Sequence, residues 1–147
     1  MKLLAVSVGR PRDLDWRGRR VRTSIFKAPV TSRVRVTRLN LAGDEQSDLT
    51  VHGGPYKAVY VYPGEHYAAW RRELPHTELG FGAFGENLTT EGLLEHEVSI
   101  GDRLRIGTAE FVITSRACRA TSSACVSATP RWSSASTTAG ATGSTLP

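Results

Sequence analysis

Cysteine is nearly missing from this chain. There are two, Cys118 and Cys125, and both lie near the end of the 147 residues. That excludes a disulfide framework, and their spacing fits no zinc site. Long apolar runs are missing as well. No stretch approaches the about 20 residues that a membrane helix needs. Leu3–Val8 is too short for the apolar part of a signal peptide, and no convincing cleavage site follows it. A cytoplasmic location without a membrane partner is the expectation. Lysine is scarce too: Lys2, Lys27 and Lys57 are the only three among 19 cationic side chains, which singles out Lys27 and Lys57. The formal charge is +5, but the arginines are scattered and often stand beside acids, as in Arg71-Arg72-Glu73 and Asp102-Arg103. No aromatic-and-basic repeat accompanies them, so no nucleic-acid partner is expected.

What is present suits one domain with a real core, since 39% of the residues are hydrophobic. Leu3–Val8 alternates as a first strand. Gly9–Gly18 is rich in turn residues, and Val21–Pro29 is strand-like again. Val34 and Val36 alternate with Arg33 and Arg35 and predict a half-buried strand towards Leu39 and Leu41. Ala58–Tyr62 is a β-branched and aromatic strand. Pro63 opens a helix through about Leu74, with Tyr67, Trp70 and Leu74 on its buried stripe. Leu79–Leu94 is Gly-rich and irregular. Val98–Ile113 predicts two strands around Gly107-Thr108. Many short strands with one helix between them point to a mainly β fold, a barrel or a strongly bent sheet. Ser115–Pro147 is Ser, Thr, Ala and Gly without an apolar period, and predicts a disordered tail.

Between the early strands and Ala58–Tyr62 stands the densest polar run, Gly43–Lys57, reading GDEQSDLTVHGGPYK. His52 titrates near neutrality and can shuttle protons or bind a ligand. Gly53 and Gly54 let the backbone approach a ligand and can present N–H groups to an anion. Lys57 and Lys27 can each neutralise an anion, and Thr23 and Ser24 can add hydroxyl donors. Asp44 and Asp48 are four apart and His52 is four further on, a metal-ligand spacing only if the run were helical. Its Thr, Val and Gly residues argue against a helix, so either aspartate can instead cap a turn or orient His52. Asn87 can hydrogen-bond a ligand or serve a turn, and Glu86 is a weaker acid. His66, His76 and His96 have no partner suggested by spacing.

Two longer stretches carry a resemblance: GDEQSDLTVHGGPYKAVYVYPGEHYAAW and GAFGENLTTEGLLEHEVSIGDRLRIGTAEFVIT. Together with the early TSIFKAPV, their HGG-x-x-K-A-V-Y, GENL and IGDRLRIG elements resemble the MOSC domain, found at the C-terminus of molybdenum cofactor sulfurases, in its YiiM-like branch of stand-alone bacterial proteins. The resemblance implies a MOSC-like β-barrel over residues 1–114 that binds the molybdenum cofactor, a phosphorylated pterin (molybdopterin). It implies sulfur transfer to that cofactor, or reduction of N-hydroxylated small molecules with electrons from a redox protein. Taken with it, the residue types above make Thr23, Lys27, Asp44, His52, Gly53, Gly54, Lys57 and Asn87 the candidates for holding the cofactor, and His52 and Asp48 the candidates for catalysis. Pyridoxal phosphate, often attached to the family, belongs to the separate desulfurase domain of the long sulfurases.

The family carries a cysteine after the final barrel strand, in a motif like TQPRMPCYKLG, and a thiolate there suits a soft metal. Here Thr114 is followed by a different text. Free choice of synonymous codons for Thr114–Ala128, with one base added after the first, yields TQPRMPCYKLGVRFG. The expectation is a frame shift near Ser115, with residues 115–147 a shifted tail. The family cysteine then falls at Ala120, and Cys118 is a displaced stand-in as metal ligand. Two other readings follow from the residues: a non-catalytic pterin carrier, or a metal-dependent hydrolase using Asp44, Asp48 and His52.

Overall fold

A computed structural model describes residues 1–47, 56–117 and 125–131. The fold is mainly β with one short helix, in the order β1 (Lys2–Val8), β2 (Arg12–Trp16), β3 (Arg19–Thr23), β4 (Ala28–Pro29), β5 (Val59–Pro63), α1 (Glu65–Glu73), β6 (Leu88–Glu91), β7 (Arg103–Ile106), β8 (Ala109–Ala117) and β9 (Cys125–Arg131). Seven strands form one sheet in the order β4-β1-β6-β5-β9-β8-β7, and β2 and β3 form a separate hairpin.

The strand β5 is central because its sequence allows nothing else. Val59, Val61 and Tyr62 are all at most 1% exposed, so both faces are covered, as a continuous apolar run demands. It pairs in parallel with β6, and α1 makes the crossover between them. Tyr67 is the buried residue of that helix; its ring meets Tyr62 and Phe84 edge-on at 5.8 and 5.1 Å. The core continues through Val6, Leu88, Phe111 and Ile113, each worth roughly 1.5–3 kcal/mol on burial.

Several sequence expectations change. Gly9–Gly18 is not all turn: β2 lies inside it, and Arg17 (φ 52°) and Gly18 (φ 74°) make the two-residue bend to β3. Positive φ at both central residues matches the natural twist of a hairpin. Val34, Val36 and Leu41 are buried as expected, but Val36 and Leu41 form only an isolated bridge, not a strand. Leu74 is 41% exposed and not on the buried stripe, because the helix has ended at Glu73. The irregular stretch Leu79–Leu94 contains β6. The expectation of no strand from Ser115 onward fails for part of it: β8 runs to Ala117, and β9 occupies Cys125–Arg131. The reason is tertiary. β9 sits between β5 and β8 and pairs with both, so its neighbours' backbones select it without an apolar run of its own. Pro130 falls beyond the β5 pairing, where β8 is its one strand neighbour among the described residues, an edge position of the kind that tolerates proline.

Candidate functional site

Three segments far apart in sequence meet around Lys27. The chain at 25–27 runs very close to its neighbours. A Cβ on Gly9 would stand 2.4 Å from the Phe26 carbonyl oxygen, and one on Gly82 would stand 2.7 Å from that of Lys27. Neither position tolerates a side chain, and Gly82 also has a φ of +92°. Clasped in this way, Lys27 directs its Nζ to both Asp44 carboxylate oxygens, at 2.8 and 2.7 Å. The two side chains are 7% and 0% exposed. The Gly9 N–H donates to Asp44 Oδ1 at 2.9 Å, and Asn40 Nδ2 donates to the Asp44 carbonyl at 2.9 Å. Burial pushes the Lys27 ammonium below the usual lysine value, against the raising effects of Asp44 and of Glu86.

Glu86 is the second buried carboxylate. Its Oε1 accepts from the Tyr67 hydroxyl, from the Gly82 N–H at 2.7 Å and from Thr89 Oγ1 at 3.0 Å, while Oε2 accepts from the Phe84 N–H at 3.1 Å. Burial and this carboxylate together raise the Tyr67 phenol well above its ordinary value. Sequence reasoning ranked Glu86 low. The signal was its place between a Gly-rich turn and a strand, where backbone N–H groups turn inward.

Asn87 is a staple between strands. Its Oδ1 accepts the Tyr60 N–H at 3.1 Å, and its Nδ2 donates to the Ser7 carbonyl at 3.2 Å. Thr23 Oγ1 accepts the Ile25 N–H at 3.2 Å and shapes the turn that leads to Lys27. Lys57 is exposed, and its carbonyl accepts from Gln46 Nε2 at 3.3 Å. Thr114 Oγ1 donates to the Tyr56 carbonyl at 2.5 Å. The flanks of the 48–55 run are therefore tied to each other and to β8. Asp48, His52, Gly53, Gly54 and Cys118 lie outside the described residues. His66, for which spacing suggested no partner, is 2.7 Å from Glu95.

Asp44 is poorly suited to hold a metal. Its oxygens already face an ammonium and an N–H, which compete with a cation for the same lone pairs. Among the described residues no three His, Cys, Asp or Glu side chains form a metal-holding group. The donor set suits an anion better. An ammonium has three donors, and the Asp44 contacts take two. Ser24 Oγ and Ser7 Oγ are buried with no hydrogen-bond partner among the described residues. Ser24 is three residues from Lys27. Ser7 Cβ and the Lys27 carbonyl both crowd the empty side of Gly82.

Comparison with known proteins follows the same lines. The MOSC domain family model matches residues 48–146. The chain is 47% identical over 104 residues to YflK of Bacillus subtilis (strain 168), which covers 71% of this chain and 47% of that protein. It is 47% identical over 89 residues to YiiM of Escherichia coli (strain K12), covering 59% and 40%. A protein of Gibberella moniliformis (strain M3125 / FGSC 7600) named "Reductase" is 34% identical over 92 residues, covering 61% of this chain and 16% of that one. The chain thus spans less than half the length of these relatives. Among solved structures, YiiM of Geobacillus stearothermophilus superposes with a TM-score of 0.54 at 31% identity, over 76% of this chain and 49% of that one. YiiM of Escherichia coli gives 0.53 at 32%, over 77% and 45%. With the family model covering more than half of its length, the chain belongs to the MOSC domain family.

Proposed function

We propose that the chain binds the molybdenum cofactor and serves a two-electron reduction of N-hydroxylated small molecules, fed by a redox partner. One observation carries the reading: Lys27, Asp44 and the Gly9 N–H, drawn from separate segments, form a buried charged cluster, and Ser7 Oγ and Ser24 Oγ are buried without a hydrogen-bond partner among the described residues. Family membership and the relative named "Reductase" support the class of reaction.

In this reading Lys27, Ser24 and Thr23 take the cofactor's phosphate. Asp44 aims the ammonium and keeps the site from carrying an isolated buried charge. Lys57 adds a second cation from the far flank of the loop. His52 and Asp48 would move the protons that the reduction consumes, and Gly53 and Gly54 would offer backbone N–H groups. The bound metal supplies the electron-transfer chemistry; the chain supplies binding, orientation and protons. Transfer of sulfur to the cofactor uses the same binding surface. The hydrolase reading loses support, because Asp44 is committed to Lys27.

We propose as well that the reading frame slips near Ser115, which moves the metal-binding cysteine out of the chain and leaves Cys118 nearby. DNA sequencing across Thr114 tests this directly. The matching protein experiment purifies the chain beside a version with the frame restored after Thr114, and measures molybdenum by elemental analysis and pterin by fluorescence. The expected result is pterin in both and molybdenum mainly in the restored protein. A restored protein with neither overturns the cofactor reading. Equal molybdenum in both overturns the part assigned to the displaced cysteine.

A further inference from the structure

The β2–β3 hairpin stands outside the main sheet, and its two faces differ. Strand alternation and the observed register put Arg12, Leu14, Trp16, Arg19 and Val21 on one face, with Asp13, Asp15, Arg20 and Arg22 on the other. The second face neutralises itself: Arg20 Nη2 lies 3.1 Å from Asp13 Oδ2, and Arg22 Nη1 lies 4.0 Å from Asp13 Oδ1. The first face has no acid. Trp16 is 61% exposed and Val21 41%, and Ile25 and Phe26 beyond the hairpin are 50% and 44% exposed. The Arg12 guanidinium sits 3.5 Å above the centre of the Phe26 ring. That contact holds a planar cation in place, with no hydrogen-bond partner for its edge N–H groups among the described residues, so that they can meet a carboxylate. Residues 10–22 hold six arginines and two aspartates, a net +4 in a chain of +5.

We propose that this face docks an acidic protein segment that also carries apolar side chains. An exposed apolar patch flanked by arginines, one of them held by the Phe26 ring, is what such a segment complements: aromatic and aliphatic contacts supply area, and the cations supply orientation and partner choice. A second copy is disfavoured, because a two-fold contact sets Arg12 and Arg19 against like charges. Nucleic acid is disfavoured, because Leu14 and Val21 gain nothing from phosphates and the opposite face carries two carboxylates. This proposal does not depend on the cofactor reading.

The test uses the full chain and a fluorescein-labelled synthetic peptide alternating glutamate with leucine and phenylalanine, read by anisotropy at low salt. Controls are the same peptide with lysine for glutamate, and a single-stranded oligonucleotide of equal charge. The expected outcome is binding of the acidic peptide at least about tenfold tighter than either control, with a matching change in Trp16 emission. Arg12→Glu with Arg19→Glu should weaken it at least about tenfold. Trp16→Ala should weaken it while melting stays unchanged, since the side chain is exposed. Equal affinity for the acidic and basic peptides overturns the proposal. So does tighter binding of the oligonucleotide. So does self-association in sedimentation that Trp16→Ala abolishes without any peptide binding by the parent chain.

Discussion

Two ion pairs in this protein have similar distances and different surroundings. Lys27 and Asp44 meet at 2.7 Å with side chains 7% and 0% exposed. Arg20 and Asp13 meet at 3.1 Å on the hairpin, at 80% and 34%. Distance does not separate them; water does. The buried pair forgoes the hydration of two charges, and holds only because each partner and the Gly9 N–H compensate the other. The exposed pair is screened, and gives back in side-chain entropy most of what it gains. Contact lists treat the two alike, but only the first fixes the position of a segment that leads into the site.

The sharpest test is Lys27→Met. It leaves Asp44 charged and buried without its cation, at an expected loss of roughly 3–5 kcal/mol, read from the urea midpoint. Lys27→Met with Asp44→Leu removes both charges and should recover most of that loss, leaving about 1 kcal/mol for the orphaned Gly9 N–H. Recovery of stability without recovery of pterin binding would separate the binding role proposed for the pair from its structural one. A single-variant loss under about 1 kcal/mol would erase the contrast between the two pairs.

Glu86→Gln comes next. The carboxylate accepts from four donors, and an amide must turn its NH2 towards some of them. The expected cost is about 1–3 kcal/mol, visible in thermal melting. An unchanged melt would mean that an amide satisfies the same four donors as well as the carboxylate does.

The pH profile should show both buried groups. An unfolded lysine keeps its proton to about its ordinary 10.5, while folded Lys27 releases it earlier. Between those points the unfolded chain binds more protons, so stability rises with pH, by at most about 1.4 kcal/mol per unit. Tyr67 acts in the opposite sense. Above its ordinary 10.0 the unfolded phenol loses its proton and the folded one keeps it, so stability falls. Urea midpoints taken across this range should climb and then turn over, and Tyr67→Phe should soften the descent. A profile that only falls with alkali would remove the Lys27 contribution.

The same contrast explains what could be read from the sequence. The strand β5 and helix α1 were legible because their own side chains specify them: Val59, Val61 and Tyr62 for the strand, and Glu65 in the first turn for the helix. β9 was not, because its partners specify it. β6 was hidden among glycines for the same reason. At the site, Lys27 and Asp44 were each singled out, but as separate ligands for a cofactor. Their pairing links residues 17 apart through a fold contact, which no local pattern encodes. Glu86 was underrated, because two of its donors are backbone N–H groups, which no residue type marks, and the other two are hydroxyls of Tyr67 and Thr89, which only the fold brings to it.

The smallest expected effect is Arg20→Ala. The pair it removes is exposed, and Arg22 stands 4.0 Å from the same carboxylate, ready to replace it. The loss should be at the low end of about 0.2–1 kcal/mol, and should vanish in molar salt, where the Debye length drops to about 3 Å. Melting of parent and variant at low and high salt measures it. The docking face should be indifferent to this change, since Arg20 lies on the opposite side of the hairpin from Trp16. If Arg20→Ala weakens the acidic peptide as much as the Arg12 and Arg19 substitutions do, the two faces are not distinct, and the hairpin acts only through its total charge.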